Sequence, residues 1–439
     1  MNIDGNEHAD EKSQIDSTNG RSLRIRSLVA TSLSHFANDG NSYVFITLYP
    51  ILFPLAAYSL GTTKLTSLFI IGVLGALVNL STTVASPLVG EAADKTRRFG
   101  FLLSLGLILL GIGIAGYALS TIGASGIVLF FLLVPFSIIG GIGGAFYHPL
   151  GGSVLSSTWP TKVIGRAMGI NGAIGSTGRA LYPLMVTALV AYFAIPSVTA
   201  LAILSFAIAG FVSFTLSRTS PTKGERNDAA AKKKKEREAN RVAIPLKVIL
   251  PPILALTVMS FMRGIFAMGI MNFLPVYLEH AGGLSYSVGL GLALTVILIL
   301  PILGQPLFGM VADRYGRRLS IAITTVGSSI AILVSLTTNN IFFIIAMFSL
   351  YAFFTFTQFP LQLPLATAAV PEGGGTLSNS IVWGIGNSGG GTVGPFLVGL
   401  LASLPIVGSL NGAFLIVTII SLLSVPLLFL VPKAPKTKL

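Results

Sequence analysis

Gly309-Met-Val-Ala-Asp313-Arg314-Tyr-Gly-Arg317-Arg318 joins one long apolar stretch to the next, and Gly90-Glu-Ala-Ala-Asp94-Lys-Thr-Arg-Arg98 does the same in the first half of the chain. Each copy follows the second apolar stretch of its half. Two related loops at matched places mark an internal duplication. A second echo sets Gly175, Gly178 and Pro183 against Asn387, Gly390 and Pro395 with the same spacing.

Working outward from these loops, apolar segments fall at 28–58, 66–91, 100–121, 126–157, 163–193 and 196–217, then at 246–278, 285–311, 319–338, 341–369, 375–403 and 410–431. Several have the 20 or so residues needed to cross a hydrocarbon layer of about 30 Å. Only 10% of the 439 residues are charged, against about 25% in soluble domains, so a water-soluble surface could not be covered. Lipid is the solvent, and backbone in lipid must bond within itself. With no ten-residue alternating strands, the spans are expected to be helices rather than a barrel. The expected fold is an all-α membrane protein with twelve transmembrane helices in two pseudo-symmetric six-helix bundles. Its predicted parts are an N-terminal tail (1–27), a first bundle (28–217), a basic linker (218–245), a second bundle (246–431) and a C-terminal tail (432–439). The linker, which contains Lys232 to Lys235, reads as a charged tether against anionic lipid or as a regulatory segment.

The net charge of +13 raises the question of nucleic acid, and its placement answers it. Of 28 Lys and Arg, only Lys64 falls on one side and only Arg179 and Arg263 lie inside spans. The others occupy the tails and alternate loops, so those loops and both termini are expected in the cytoplasm, in a cell membrane. Nucleic acid is not an expected partner. There is no cysteine, which excludes disulfides and thiolate chemistry. The first 27 residues are polar and do not read as a signal peptide.

The run Gly-x-x-x-Asp-Arg-x-Gly-Arg-Arg resembles the signature loop of the major facilitator superfamily. Gly309 to Arg318 match it throughout; the first copy departs at Arg97, where the pattern has Gly, and a somewhat different turn is expected there. The resemblance implies that Gly90, Asp94 and Arg98, with Gly309, Asp313, Arg314, Arg317 and Arg318, form a latch for one state of an alternating-access cycle. Ser34-His35-Phe-Ala-Asn38-Asp39, Ala145-Phe-Tyr-His148-Pro149 and the run from Gly165 to Pro183 are similar to the fosmidomycin-resistance exporters of that superfamily. Those exporters often carry an acidic residue after the His-Pro, where this chain has Leu150. Gly390-x-x-x-Gly394-Pro395 also resembles a motif of drug and proton antiporters, there in span 5.

A charge in mid-membrane costs about 2.5–3.5 kcal/mol on insertion scales, so each one is informative. Asp39 is the sole carboxylate well inside a span, and His35 lies one turn before it on the same face. They are candidates for proton coupling; Asn38, a candidate for substrate binding, and Ser42 extend the polar stripe toward a cavity; alternatively Asp39 is a structural partner of Arg179. Arg179 aligns with Gly391 in the second half and is therefore not required by the fold. Arg263, mid-span 7, is expected to face the cavity from the opposite bundle, and two guanidinium groups suit an anion; alternatively each caps carbonyls. His148 reads as a ligand for substrate or proton, or as a bridge between helices. His35, Asp39 and His148 could hold a divalent metal, but two arginines would repel it, and no metal is expected. Asn272, Gln358, Gln362, Trp383 and Asn387 read as neutral pocket residues or as helix-to-helix glue.

No phosphate-binding loop or catalytic constellation is present, so neither an enzyme nor a cofactor is expected. Residues and resemblance together lead to a monomeric, proton-coupled secondary transporter of a small anionic substrate. The exporter likeness implies efflux by proton antiport. Residue types alone leave open proton symport of an organic acid, sugar or sugar phosphate.

Overall fold

The computed structural model describes residues 4–60, 64–124, 126–160, 163–217, 246–280, 283–357, 359–371 and 374–431, with side chains at 4–20, 53–60, 64–66, 217, 359, 360 and 376 outside that description. The predicted linker 218–245 and tail 432–439 therefore lie outside the described residues, as does Gln358. The first half is built from α1 (Asp4–Leu60), α2 (Lys64–Thr96), α3 (Phe99–Ser120), α4 (Gly126–Gly144), α5 (Tyr147–Thr158), α6 (Ile164–Phe193) and α7 (Thr199–Ser217). The second half comprises α8 (Leu246–His280), α9 (Val288–Ile299), α10 (Pro301–Tyr315), α11 (Arg317–Ser335), α12 (Ile341–Thr355), α13 (Phe359–Ala368), α14 (Gly375–Ser380), a π-helical segment (Ile381–Ser388), α15 (Gly389–Ser403) and α16 (Leu410–Leu423). The fold is the expected all-helical one. Among the described residues, eight helices or joined helix pairs are long and apolar enough to cross a bilayer. The other four expected spans are the polar-led α1, the glycine-rich α6 with its arginines, the short α12, and the span that α14, the π segment and α15 share.

Breaks within spans follow the prolines only in part. Span 4 bends at Ala145 and Phe146, where the amides turn back to Ile142 and Gly143 at 3.1 and 3.3 Å. Pro149 comes after this bend, in the first turn of α5, where a missing N–H removes no helical bond. The break in span 4 therefore lies three residues upstream of the His148-Pro149 pair.

The two halves repeat the same packing. In the first, α1 lies along α6 and α3 along α7 and α4; in the second, α8 lies along α15 and α11 along α16 and α12. Between halves α2 meets α15 and α6 meets α9. Lipid tails offer no hydrophobic drive for helix association, so close contact of small residues does the work. Interior hydroxyls bond within their own helices, as Thr31 to Ser27, Ser260 to Leu256 and Thr418 to Phe414. Large apolar side chains such as Phe131, Leu303 and Phe342 point outward.

The repeated loops form the same turn by different means. Gly316 donates to Ala312 at 2.9 Å and Arg97 to Ala93 at 2.8 Å, the same closing bond in each half. Gly316 has φ +93°, and Arg97 is held at φ +53°, which costs a side-chain-bearing residue about 1–2 kcal/mol.

The halves touch at the end away from these loops and part toward them. On one face of α6, a Cβ at Gly291 of α9 would strike Leu184 and Pro183, and Thr295 bonds the Ala180 carbonyl at 2.7 Å. Nearer the loop end, the same face presents Gly172, Gly169 and Gly165 to open space. Along α2, Gly72 lies against Pro395 and Gly399, whereas Gly90 has nothing within 4 Å. The cavity between bundles is thus open at the loop end and closed at the other.

In thermal unfolding, Arg97→Gly should raise stability by about 1 kcal/mol, and Gly316→Arg should lower it by a similar amount or more. In this cysteine-free chain, Gly169→Cys should react readily with a water-soluble maleimide, and Thr187→Cys, on the closed half of the same face, should be protected.

Candidate functional site

The site forms where α1 and α6 lie closer than ordinary side chains permit. A Cβ on Gly178 would fall on the Phe36 carbonyl, one on Gly175 on the His35 ring, and one on Gly40 on the Tyr182 ring. Three missing side chains bring the polar face of α1 onto α6.

Asp39 sits at the centre, 6% exposed. Arg179 Nη2 donates to its Oδ2 at 2.8 Å. His35 Nε2 is 3.4 Å from the same oxygen, one turn back on α1. Asn38 Nδ2 donates to Oδ1 at 3.3 Å, and His148 Nε2 reaches Oδ1 at 3.6 Å from α5. The exposures differ: the side chains of His35 and Arg179 are 12% and 15% exposed, but that of His148 is 66% exposed. His148 is the exposed arm of the cluster. The guanidinium of Arg179 also lies over the Phe356 ring, 4.8 Å from its centroid. That contact crosses to the second bundle and is of the cation-π type.

A second ring of contacts holds His35, which sequence reading did not anticipate. Tyr147 stacks on its imidazole with centroids 4.2 Å apart and planes at 19°. The Tyr147 hydroxyl donates to Asn171 Oδ1 at 2.5 Å. Asn171 in turn meets His35 Nδ1 through both its backbone oxygen (3.0 Å) and its Oδ1 (3.1 Å). The available signal was that Asn171 is the sole amide in the run from Gly165 to Pro183, and that Tyr147 adjoins His148.

The second half builds the same backbone contact without charge. A Cβ on Gly390 would fall on the Phe261 carbonyl, as Gly178 does on that of Phe36. Counting along both helices from that contact, Asp39 corresponds to Gly264, Arg179 to Gly391 and His35 to Ser260. A Cβ on Gly264 would lie 2.9 Å from the Gly391 nitrogen, where the first half has its ion pair. The fold needs the close approach and does not need the charges.

The remaining candidates separate from this cluster. Arg263 does not face the cavity beside Arg179 as expected: it is 1% exposed within the second bundle and donates to Thr325 on α11. The large side chain at its position points away from the crowded α8–α15 contact and toward the hydroxyls of α11. Asn272 is buried beside Gly75, at the closed contact between the halves. Gln362 is fully buried in the second bundle. Trp383 and Asn387 are half-buried on the π segment, a rare geometry that concentrates at functional sites. In the loops, Asp94 is half-buried and Asp313 exposed.

Two six-helix halves with repeated packing, and a buried charged cluster between two helices of the first, are the architecture of a membrane transporter. The sequence matches the profile of the Major Facilitator Superfamily over residues 31–294 and 283–439, and the chain belongs to that family. No curated protein matches it. Among solved structures, a D-xylose-proton symporter is similar at 14% identity and TM-score 0.76, over 94% of this chain and 99% of that one. A bacterial homologue of the human lysosomal transporter Spinster, inward-facing and occupied, is similar at 15% and 0.71, over 92% and 96%. The xylose transporter of E. coli in its inward open conformation is similar at 15% and 0.69, over 95% and 98%.

Proposed function

We propose that this protein is a proton-coupled secondary transporter of a small organic anion, working by alternating access with Asp39 and His35 as the coupling centre. The carrying observation is the buried carboxylate of Asp39, paired with Arg179 at 2.8 Å and with His35 and His148 at 3.4 and 3.6 Å. A bare carboxylate in lipid is costly unless paired or protonated. Asp39 therefore has two stable conditions: ionised against Arg179, or carrying a proton with Arg179 released.

The direction follows from that competition. An anion that takes Arg179 displaces Asp39, which then favours a proton; a proton on Asp39 equally frees Arg179 for the anion. Linkage makes the effect reciprocal, so proton and anion bind together, which is the sign of symport. Efflux by antiport, which the likeness to the fosmidomycin-resistance exporters suggests, requires an anion held away from Arg179. With Arg263 inside its bundle, Arg179 is the cation of the cavity apex, and symport is the reading the site supports best. His148, the exposed neighbour of Oδ1, is the entry point for the proton. The excess of Lys and Arg in the repeated loops supports a topology with the loop end and both termini at the cytoplasmic face of a cell membrane. There the two repeated loops, with Asp94 and Asp313 near helix ends, act as latches between states.

In liposomes with an interior pH dye, phosphonates and carboxylates should carry protons inward with them, and sugars and cationic drugs should not. Asp39→Asn should reduce that movement to the level of protein-free liposomes. Because a lone Arg179 could unfold the variant, Asp39→Asn with Arg179→Gln serves beside it. Outward proton movement against the anion would establish antiport, and an unimpaired Asp39→Asn would remove Asp39 from the coupling role.

A further inference from the structure

We propose that Asn171 is a positioning residue that turns His35 and Asp39 into a site holding one shared proton, a conclusion that rests on the coupling role given above. A backbone carbonyl can only accept a hydrogen bond. His35 Nδ1 faces the Asn171 carbonyl at 3.0 Å and the Asn171 Oδ1 at 3.1 Å, so two acceptors converge on one ring nitrogen. That nitrogen must carry its hydrogen. The amide is itself fixed: Oδ1 accepts from the Tyr147 hydroxyl at 2.5 Å, and Nδ2 points to the Ser32 hydroxyl at 3.4 Å.

With Nδ1 committed, the neutral ring presents a bare lone pair at Nε2. Nε2 lies 3.4 Å from Asp39 Oδ2, which is also an acceptor when ionised. Two lone pairs at that distance repel, and one proton between them converts repulsion into a bond, either as imidazolium against carboxylate or as neutral imidazole against carboxylic acid. The balance is one proton gained by the pair and none by Asn171. Among the described residues, Asp39 and Tyr43 of α1, Tyr147 and His148 of α5 and Arg179 of α6 are the titratable and charged groups that face this point, and Phe356 of the second bundle lies against the Arg179 guanidinium. Arg179 donates to the same Oδ2 at 2.8 Å, so loss of the proton leaves that oxygen to the guanidinium alone. The proton and Arg179 thus share one carboxylate oxygen, and Asn171 sets which of the two ring nitrogens takes part. Gly175 is the companion requirement, because any side chain there would occupy the place of the ring.

The test is nitrogen-15 NMR of histidine-labelled full-length protein in lipid, with the His35 signals assigned by their loss in His35→Gln. The expected result is a protonated Nδ1 across the pH range and a proton at Nε2 that is lost at one pH midpoint. Asn171→Asp should raise that midpoint by about one pH unit, since an opposite charge within 4–6 Å favours the charged ring by 1–3 units. Asn171→Leu should lower it. A neutral ring with its hydrogen on Nε2, or midpoints unchanged in both variants, would overturn the proposal. The spectra do not depend on transport, so the two conclusions fail separately. If Nδ1 is protonated as described but Asp39→Asn still moves protons in liposomes, the coupling role falls and the positioning stands; if Asp39 is required and the ring is the Nε2 tautomer, the reverse holds.

Discussion

The contact of two helix backbones at Gly178 and the Phe36 carbonyl is the constraint on which the rest of the first bundle depends. In a solvent of lipid tails, helices gain little by hiding apolar surface from one another and instead associate through close fit. Removing the side chains at Gly175 and Gly178 lets α6 approach α1 until polar groups on the two helices come within bonding distance. Asp39, His35, Arg179 and Asn171 then meet without water between them. Any one of them alone in the membrane would be a liability, and together they neutralise one another.

The second bundle shows what the architecture needs on its own account. Gly390 against Phe261 reproduces the approach, and Gly264 and Gly391 occupy the places of the ion pair. Duplication of the fold therefore preserved the packing, and the ion pair at this contact belongs to one half only. This asymmetry gives the protein an electrostatic centre in one bundle and a neutral partner surface in the other. Phe356, lying over the Arg179 guanidinium, is where the neutral bundle touches the charged one. A rigid-body movement of one bundle against the other must change that contact.

The opening of the cavity has an equally simple basis. Gly72, Gly399 and Gly291 interlock the halves at one end, and the same helix faces carry Gly90, Gly165, Gly169 and Gly172 at the other with nothing against them. In this structure the end bearing the repeated loops is the open one. Prolines contribute less than their number suggests: Pro149 follows its bend rather than causing it.

Much of this was legible in the chain. The length of the apolar segments, the paired loops and the scarcity of charge determined a duplicated twelve-helix membrane fold, because lipid allows few other ways to bond a backbone. The i, i+4 spacing of His35 and Asp39 determined that they share a face, and the isolation of Asp39, Arg179 and Arg263 in spans marked them as needing partners. Which partner each would have was not encoded in spacing. Arg179 found Asp39 and Arg263 found Thr325 because helix rotation and the depth of each close approach decide where a side chain emerges. Asn171 and Tyr147 became part of the site for the same reason. An amide and a phenol carry no signal in sequence, and only the packing of three helices around one imidazole brought them to it.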